Sequence, residues 1–394
     1  LKIVTLFLLF AGFCGSQVCI AAEILLLDSK KKVAELLELD SKALLLRSGQ
    51  DEARCEIEEV DQLGSPTSFK KTPLLFLADG SVIAVSKVEV NSGRLTAWGV
   101  WGETALPTSR VAGFLLHEPD TTAALDQALR NIQEGLPPQR RKLSDVAMLN
   151  TGDQVEGVLS KLDAKSLTIL SHGVKISQPL SSVRLLSLRQ TRRPLVKQSQ
   201  APKVGYVGLT DGSYFPVAKI EWSDGVATFE TPSGFRLSAL PSQIAVIQQT
   251  QSVTYLSDVL PWSGNKHRPA ISLPRKYRRD LNVNGGKLRV GRQLYQKGLG
   301  VAPLTSLVYG LRGEYKEFRT QIALDTTAGK RGGAIFVVTV DGEEKFRSDV
   351  IRGGDAPRDV VVDITGGNKL TLTVTFADGG ESGDIANWLN ARVF

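Results

Sequence analysis

Lys297–Leu311 reads KGLGVAPLTSLVYGL and decides the fold. Two glycines flank Leu299, so the backbone there must turn or approach something that leaves no room for a Cβ. Ser306-Leu307-Val308-Tyr309 then gives a short apolar, β-branched and aromatic run, which predicts a strand. Similar runs follow at Tyr315–Leu324, Gly333–Val340, Val360–Ile364 and Leu370–Phe376. Glycine and aspartate separate them, as at Asp341-Gly342, Gly353-Gly354-Asp355, Gly366-Gly367 and Asp378-Gly379-Gly380. Short strands with frequent turn signals and no long helical period predict an antiparallel, jelly-roll-like β-sandwich over residues 253–394.

Upstream, 24–248 repeats itself. Apolar runs end in tight turns at Asp79-Gly80, Thr151-Gly152-Asp153 and Asp211-Gly212. A second turn follows at Asn91-Ser92-Gly93, Asp163-Ala164-Lys165 and Ser223-Asp224-Gly225. A third signature is Leu106-Pro107-Thr108-Ser109, Pro179-Leu180-Ser181-Ser182 and Leu240-Pro241-Ser242-Gln243. Matched turns at matched spacing indicate an internal repeat. Val33–Asp40 aligns with Val155–Asp163, which adds a copy at the start. Local propensity favours helix over Lys30–Leu46, but the register puts Asp40-Ser41-Lys42 at a turn, so strands are predicted there. The expected layout is all-β, with β-repeats at 23–66, 70–118, 144–190 and 204–250. The helix signal of 119–143 lies between them, with Ala123, Leu125, Leu129 and Ile132 as its apolar stripe. Residues 191–203 read as a linker. By pattern the repeats look like Sm-like or other small β-barrels.

The block Tyr255–Phe394 resembles the NPCBM family of carbohydrate-binding modules. The resemblance rests on Tyr255-Leu256-Ser257-Asp258, Leu288-Arg289-Val290, Tyr295, Lys297–Val301, Tyr315–Phe318, Val340-Asp341-Gly342, Gly353-Gly354-Asp355 and Asn387–Arg392. Two positions depart from the family pattern. Ala302 stands where a histidine is usual, and Asn387 where an acidic residue is usual. The resemblance implies non-catalytic binding of a glycan or polysaccharide, with the repeats as scaffold. The alternative is a structural or protein-binding component of the cell envelope that has lost its sugar site.

Sugar rings are bound by stacking on aromatic faces and by pairing hydroxyls with charged or amide groups. The candidate rings are Trp262, His267, Tyr277, Tyr295, Tyr309 and Trp388, with Asp325, Asn387 and Arg392 as polar partners. Trp388 and Tyr309 also fit a core role. Trp262 and Tyr277 stand in polar loops and are expected to be exposed. Asp378, Glu381 and Asp384 form an oxygen-rich turn that could hold calcium, without the EF-hand spacing. His117, His172 and His267 have no second ligand at zinc spacing, and no nucleophile elbow, P-loop or dinucleotide fingerprint occurs. No enzymatic activity is expected, since glycoside hydrolysis needs two carboxyls across a groove and nothing here marks one.

The 394 residues carry a formal charge of +7, with a pI near 9.2. That attracts anionic partners loosely but does not indicate nucleic acid, because no base-reading motif appears. Arg140-Arg141-Lys142, Arg192-Arg193 and Arg275-Lys276-Tyr277-Arg278-Arg279 read as solvated linkers or turns, with contact to a polyanion as the alternative. Lys2, the apolar run Ile3–Phe13 and the small residues ending at Ala21-Ala22 read as a signal peptide over 1–22, too short to span a bilayer. A secreted or periplasmic protein without a membrane span is expected. Cys14 and Cys19 would leave with that segment. Cys55 would remain alone, as a small buried hydrophobe.

Overall fold

The computed structural model describes residues 21–27, 31–65, 68–69, 73–119, 121–133, 144–189, 204–264, 276–377 and 384–394. Segment 1–20 and the basic clusters at 140–142 and 192–193 lie outside them. Ala21 and Ala22, the end of the expected cleavage zone, are the first residues of a strand.

Four segments share one plan. The first runs β1 (Ala21–Leu26), β2 (Lys31–Leu39), β3 (Ala43–Ser48), β4 (Asp51–Glu56) and β5 (Val60–Gly64). The second runs β6 (Leu74–Leu77), β7 (Val82–Ala84), β8 (Lys87–Asn91), β9 (Arg94–Gly99), β10 (Gly102–Pro107) and β11 (Val111–Leu115). After helix α1 (Thr122–Gln133) come β12 (Asp145–Leu149), β13 (Gln154–Leu162), β14 (Ser166–Ser171), β15 (Val174–Pro179) and β16 (Val183–Ser187). The fourth runs β17 (Gly205–Leu209), β18 (Tyr214–Val217), β19 (Lys219–Ser223), β20 (Val226–Glu230), β21 (Arg236–Ala239) and β22 (Ile244–Gln249). In every segment the paired strands run antiparallel, in hairpins such as β1–β2, β8–β9, β13–β14 and β19–β20, and the first strand also pairs with the last. The last strands join segments two by two, β5 with β22 and β11 with β16.

Lys31–Leu39 and Ala43–Ser48 are strands, as the repeat register required and against their helix propensity. The turn chemistry explains it. Asp40 Oδ1 accepts the Lys42 and Ala43 N–H groups at 2.6 and 2.8 Å, and Asp163 Oδ1 accepts those of Lys165 and Ser166, both at 2.9 Å. Each side chain closes the same turn on its own backbone. Asp163 is held well below the usual carboxylate range, first by Lys161 and then by those backbone donors.

Before each last strand lies one 3₁₀ turn, at Ile57–Glu59, Thr108–Arg110, Leu180–Ser182 and Pro241–Gln243. The register against the first strand then skips one residue: Asp61, Ala112, Arg184 or Ala245. A bulge of this kind re-aims a side chain. Cys55, on β4, is only half-buried rather than enclosed; burial and then Glu59 push its thiol up to about 11.

The C-terminal block is an antiparallel sandwich, as the sequence predicts. Its strands are β23 (Thr254–Tyr255), β24 (Ser263–Gly264), β25 (Arg278–Arg279), β26 (Leu288–Val290), β27 (Gln293–Tyr295), β28 (Gly298–Val301), β29 (Thr305–Gly310) and β30 (Glu317–Leu324). Then come β31 (Gly333–Val340), β32 (Glu343–Arg347), β33 (Ile351–Arg352), β34 (Arg358–Asp363), β35 (Lys369–Phe376) and β36 (Ala386–Val393). One sheet is ordered β25-β28-β36-β30-β34, the other β24-β29-β35-β31-β32. Inward residues alternate along β29 and β35, giving Leu307, Tyr309, Leu370, Leu372 and Val374 to the core. Arg278–Arg279 is thus an edge strand on β28, not the solvated turn that its charge suggested. Among the described residues no helix is long and apolar enough to cross a membrane.

The two blocks meet through buried groups. Asp61 accepts Arg392 Nε at 2.6 Å and Nη2 at 2.5 Å, and Arg319 Nη1 at 2.8 Å. All three side chains are almost wholly buried. The hairpin β26–β27 sends Leu294 into the cluster formed by Leu125, Leu129 and Ile132 of α1. Arg292 Nε donates to Phe69 O at 3.0 Å, and Gln296 Nε2 to Gly80 O at 3.1 Å. A chain cut within 250–253 is therefore expected to keep its halves together on size-exclusion chromatography. Asp61→Ala, which strands two buried arginines, should cost about 3–5 kcal/mol in denaturant unfolding. Separation of the wild-type halves in native buffer would overturn this account of the interface.

The glycines around Leu299 are required sterically. Gly298 sits at φ +149°, and a Cβ there would lie 2.5 Å from Trp388 O. A Cβ on Gly300 would lie 2.3 Å from Leu281 O and 2.5 Å from the Asn282 backbone. Gly300→Ala should destabilise by roughly 1–3 kcal/mol, read as a lowered denaturation midpoint. An unchanged midpoint would show that the close approach relaxes freely.

Candidate functional site

The structure divides the sequence-derived candidates into two groups. Tyr295, Asp325, Asn387, Trp388 and Arg392 are buried. Trp388 fills the core between the sheets, its ring centroid 4.9 Å from Phe336 and 6.4 Å from Phe318. Tyr295 packs with Leu288, Ala323 and Leu389. Arg392 is held by Asp61 and so belongs to the interface between blocks. Asp325 is saturated: Oδ2 accepts Arg289 N and Asn387 Nδ2 at 3.1 and 3.0 Å, while Oδ1 accepts Thr327 N and Oγ1. The amide at 387 donates to Asp325, where a carboxylate would place two buried like charges together. Ala302, in the histidine position of the family, is sealed into the core. His267, Asp378 and Glu381 lie outside the described residues. Asp384 is buried, and its Oδ1 accepts Gly333 N at 2.8 Å. Among the described residues no three His, Cys, Asp or Glu side chains gather as a metal site.

Trp262 and Tyr277 lie on the edge segments of the two sheets at one side of the sandwich, and Tyr309 points from β29 into the core there. Strand β24 pairs with β29 as Ser263–Val308 and Gly264–Leu307. Trp262 N donates to Val308 O at 2.7 Å, which fixes its backbone. Its benzo ring covers Gly310, where a Cβ would meet Cζ2 at 1.7 Å, so only glycine leaves room for the indole. The ring nevertheless stays 62% exposed. Tyr277 leads into β25 and is half-buried rather than fully exposed; a Cβ on Gly264 would meet its ring at 3.5 Å. Its contact with Gly264 ties the two edges.

Tyr309 points inward beneath this edge. It is 2% exposed, and its hydroxyl has no hydrogen-bond partner among the described residues. Burial, then Tyr277, pushes that hydroxyl far above the usual tyrosine value, and Arg279 pulls it partly back. Tyr277 packs against the sandwich core just before β25, and Arg279, the last residue of β25, is exposed. Sequence reading missed Arg279, because five neighbouring residues with four cations look like a solvated turn. Only its pairing with Leu299 reveals a strand.

The exposed Trp262 indole and the half-buried Tyr277 phenol offer aromatic surface suited to a flat, partly apolar ring with hydroxyl groups. This is an antiparallel β-sandwich with an aromatic, cation-rimmed edge. Residues 252–394 match the family model described as NPCBM/NEW2 domain, so the resemblance read at Tyr255–Phe394 holds. A curated relative, "Putative endo-alpha-N-acetylgalactosaminidase" of Renibacterium salmoninarum, is 25% identical over 193 residues, or 48% of this chain. The match spans 12% of that relative's length. Among solved structures, the CBM51 module of Clostridium perfringens GH95 with methyl-galactose shows 25% identity and a TM-score of 0.33, covering 36% of this chain and 99% of that one. The tandem CBM51 modules of a family 98 glycoside hydrolase from Streptococcus pneumoniae show 11% identity and a TM-score of 0.32, covering 95% and 88%.

Proposed function

We propose that this chain is an exported, non-catalytic carbohydrate-binding protein whose C-terminal sandwich holds a sugar at the Trp262–Tyr277 edge. The four N-terminal segments, read as small barrels, act as its scaffold. The NPCBM/NEW2 match supports the carbohydrate-binding class, and the observation that carries the site is the Trp262 indole seated on Gly310 and open to solvent. An exposed aromatic face is the kind of surface on which the apolar face of a sugar ring stacks. Calcium held by Asp378, Glu381 and Asp384 is kept as a secondary part of the proposal.

The second reading is an envelope protein without a sugar site. It is favoured by Ala302 in the core and by Asp325, Asn387 and Arg392 being committed to internal bonds. A glycan array with the full chain, followed by titration of the best ligand, tests the first reading against the second. Trp262→Ala should weaken binding about tenfold or more, some 1.4 kcal/mol, with an unchanged unfolding midpoint. Absence of binding to every glycan would favour the envelope reading.

A further inference from the structure

The indole of Trp262 lies on the outside of its sheet. Tyr309 points into the core, so Gly310, the next residue of β29, faces outward, and the ring covers the Cβ direction of Gly310. From there the register fixes which side chains share that outer face. Gly310 is paired with Lys369, Val308 with Thr371, and Thr371 in turn with Thr339 of β31. Across β29, β35 and β31 the only charged side chain on this face is Lys369, at the end of β35. On β32 beyond them, Glu344 and Arg347 pair with each other.

The hydroxyls of this face differ in what they have to bond. Ser306 and Thr373 bond each other at 2.9 Å. Thr371 and Thr339 stand side by side, half-buried, and no side-chain hydrogen bond engages either among the described residues. Under an apolar partner both hydroxyls would lose their water and gain nothing, which is costly. A partner that carries hydroxyls of its own replaces that water bond for bond.

Resting on the reading of Trp262 as a sugar platform, we propose that the ligand is an unbranched polysaccharide rather than a single terminal sugar. The chain crosses the outer face of this sheet from Trp262 over Thr371 to Thr339. Strands lie about 4.8 Å apart, close to the length of one pyranose in an extended chain. One ring therefore stacks on the indole above β29, the next lies above β35 and a third above β31. Thr371 and Thr339 bond to hydroxyls of the second and third rings. A face with so little charge suits a neutral chain.

The test uses the full chain and calorimetry. The probes are galactose with unbranched β-1,4-galacto-oligosaccharides of two to six residues, and glucose with cello-oligosaccharides of the same lengths. In at least one series affinity is expected to rise about tenfold between one ring and three, and to level off beyond about four. Thr371→Ala and Thr339→Ala should each take about fivefold from the trimer and leave the single sugar unchanged. Thr375→Ala, outward on the same strand but four positions from Thr371, should change nothing. Trp262→Ala should weaken every length. Unfolding midpoints of the four variants, measured alongside, separate a lost contact from a lost fold. A single sugar that binds as tightly as the hexamer, and through Trp262, would overturn the chain path and leave the edge site standing. A loss in Thr375→Ala equal to that in Thr371→Ala would overturn the route across the strands. No binding at any length in either series would overturn the proposal as well. A glycan array that still finds a ligand would then keep the carbohydrate reading, and a blank array would remove both.

Discussion

One carboxylate between two guanidinium groups holds the molecule together. Asp61 occupies the bulge that opens the last strand of the first segment, and it reaches Arg319 and Arg392 on neighbouring strands of the sandwich. Taking three charges out of water costs several kcal/mol per ion unless the geometry is close to ideal. Here the remaining donors are used as well: Arg319 Nη1 also reaches Leu26 O, and Arg392 Nη1 reaches Asn390 O at 2.8 Å. Glu317 on Arg319 Nε balances the count at two cations and two anions. The other three segments carry Ala112, Arg184 and Ala245 at the equivalent bulge, so only the first segment can dock on an arginine pair.

That contact imposes a second constraint on β36. All eight residues from Ala386 to Val393 are buried, which means the strand has protein on both faces. Ala386 and Trp388 face the sandwich core. Asn390, at φ +50°, interrupts the pairing with β30 and shifts the alternation, so Ala391 and Val393 face the core next. The shift points Arg392 at Asp61. A strict period of two would have turned Arg392 to the Trp388 side, among apolar residues with no partner.

These two features mark the limit of what the sequence carries. The turns, the four-fold recurrence and the sandwich strands were legible because they depend on neighbours in the chain. The aspartates at 40 and 163 close turns with their own backbone, and that local bond outweighed the helix propensity of Lys30–Leu46. The fate of Arg392 depends on Asp61, 331 positions away. Nothing in the local pattern of Asn387–Arg392 distinguishes a sugar partner from an interface anchor, so Asp325, Asn387 and Arg392 looked like exposed polar groups. Trp262 was legible, since a tryptophan in a polar stretch with proline beside it is hard to bury. Tyr309 fitted both the core and the site, and the structure buries it, ring and hydroxyl alike.

The interface and the candidate site are connected through geometry. A sandwich offers two outer faces and its edges. The N-terminal block takes up the outer side of the sheet containing β30 and β36, with the β26–β27 hairpin gripping α1 beside it. That sheet therefore cannot present its middle strands to a polymer. The side where β24 and β25 lie is built from two-residue strands, each pairing with a single neighbour. Such short edges expose little backbone to unwanted strand pairing, and they let side chains from both sheets converge. Trp262 comes from one sheet and Tyr277 with Arg279 from the other, joined by contact at Gly264. Docking through Asp61 thus removes one face as a binding surface and leaves the other sheet's outer face and the side edge, with its exposed indole, in reach of an extended glycan.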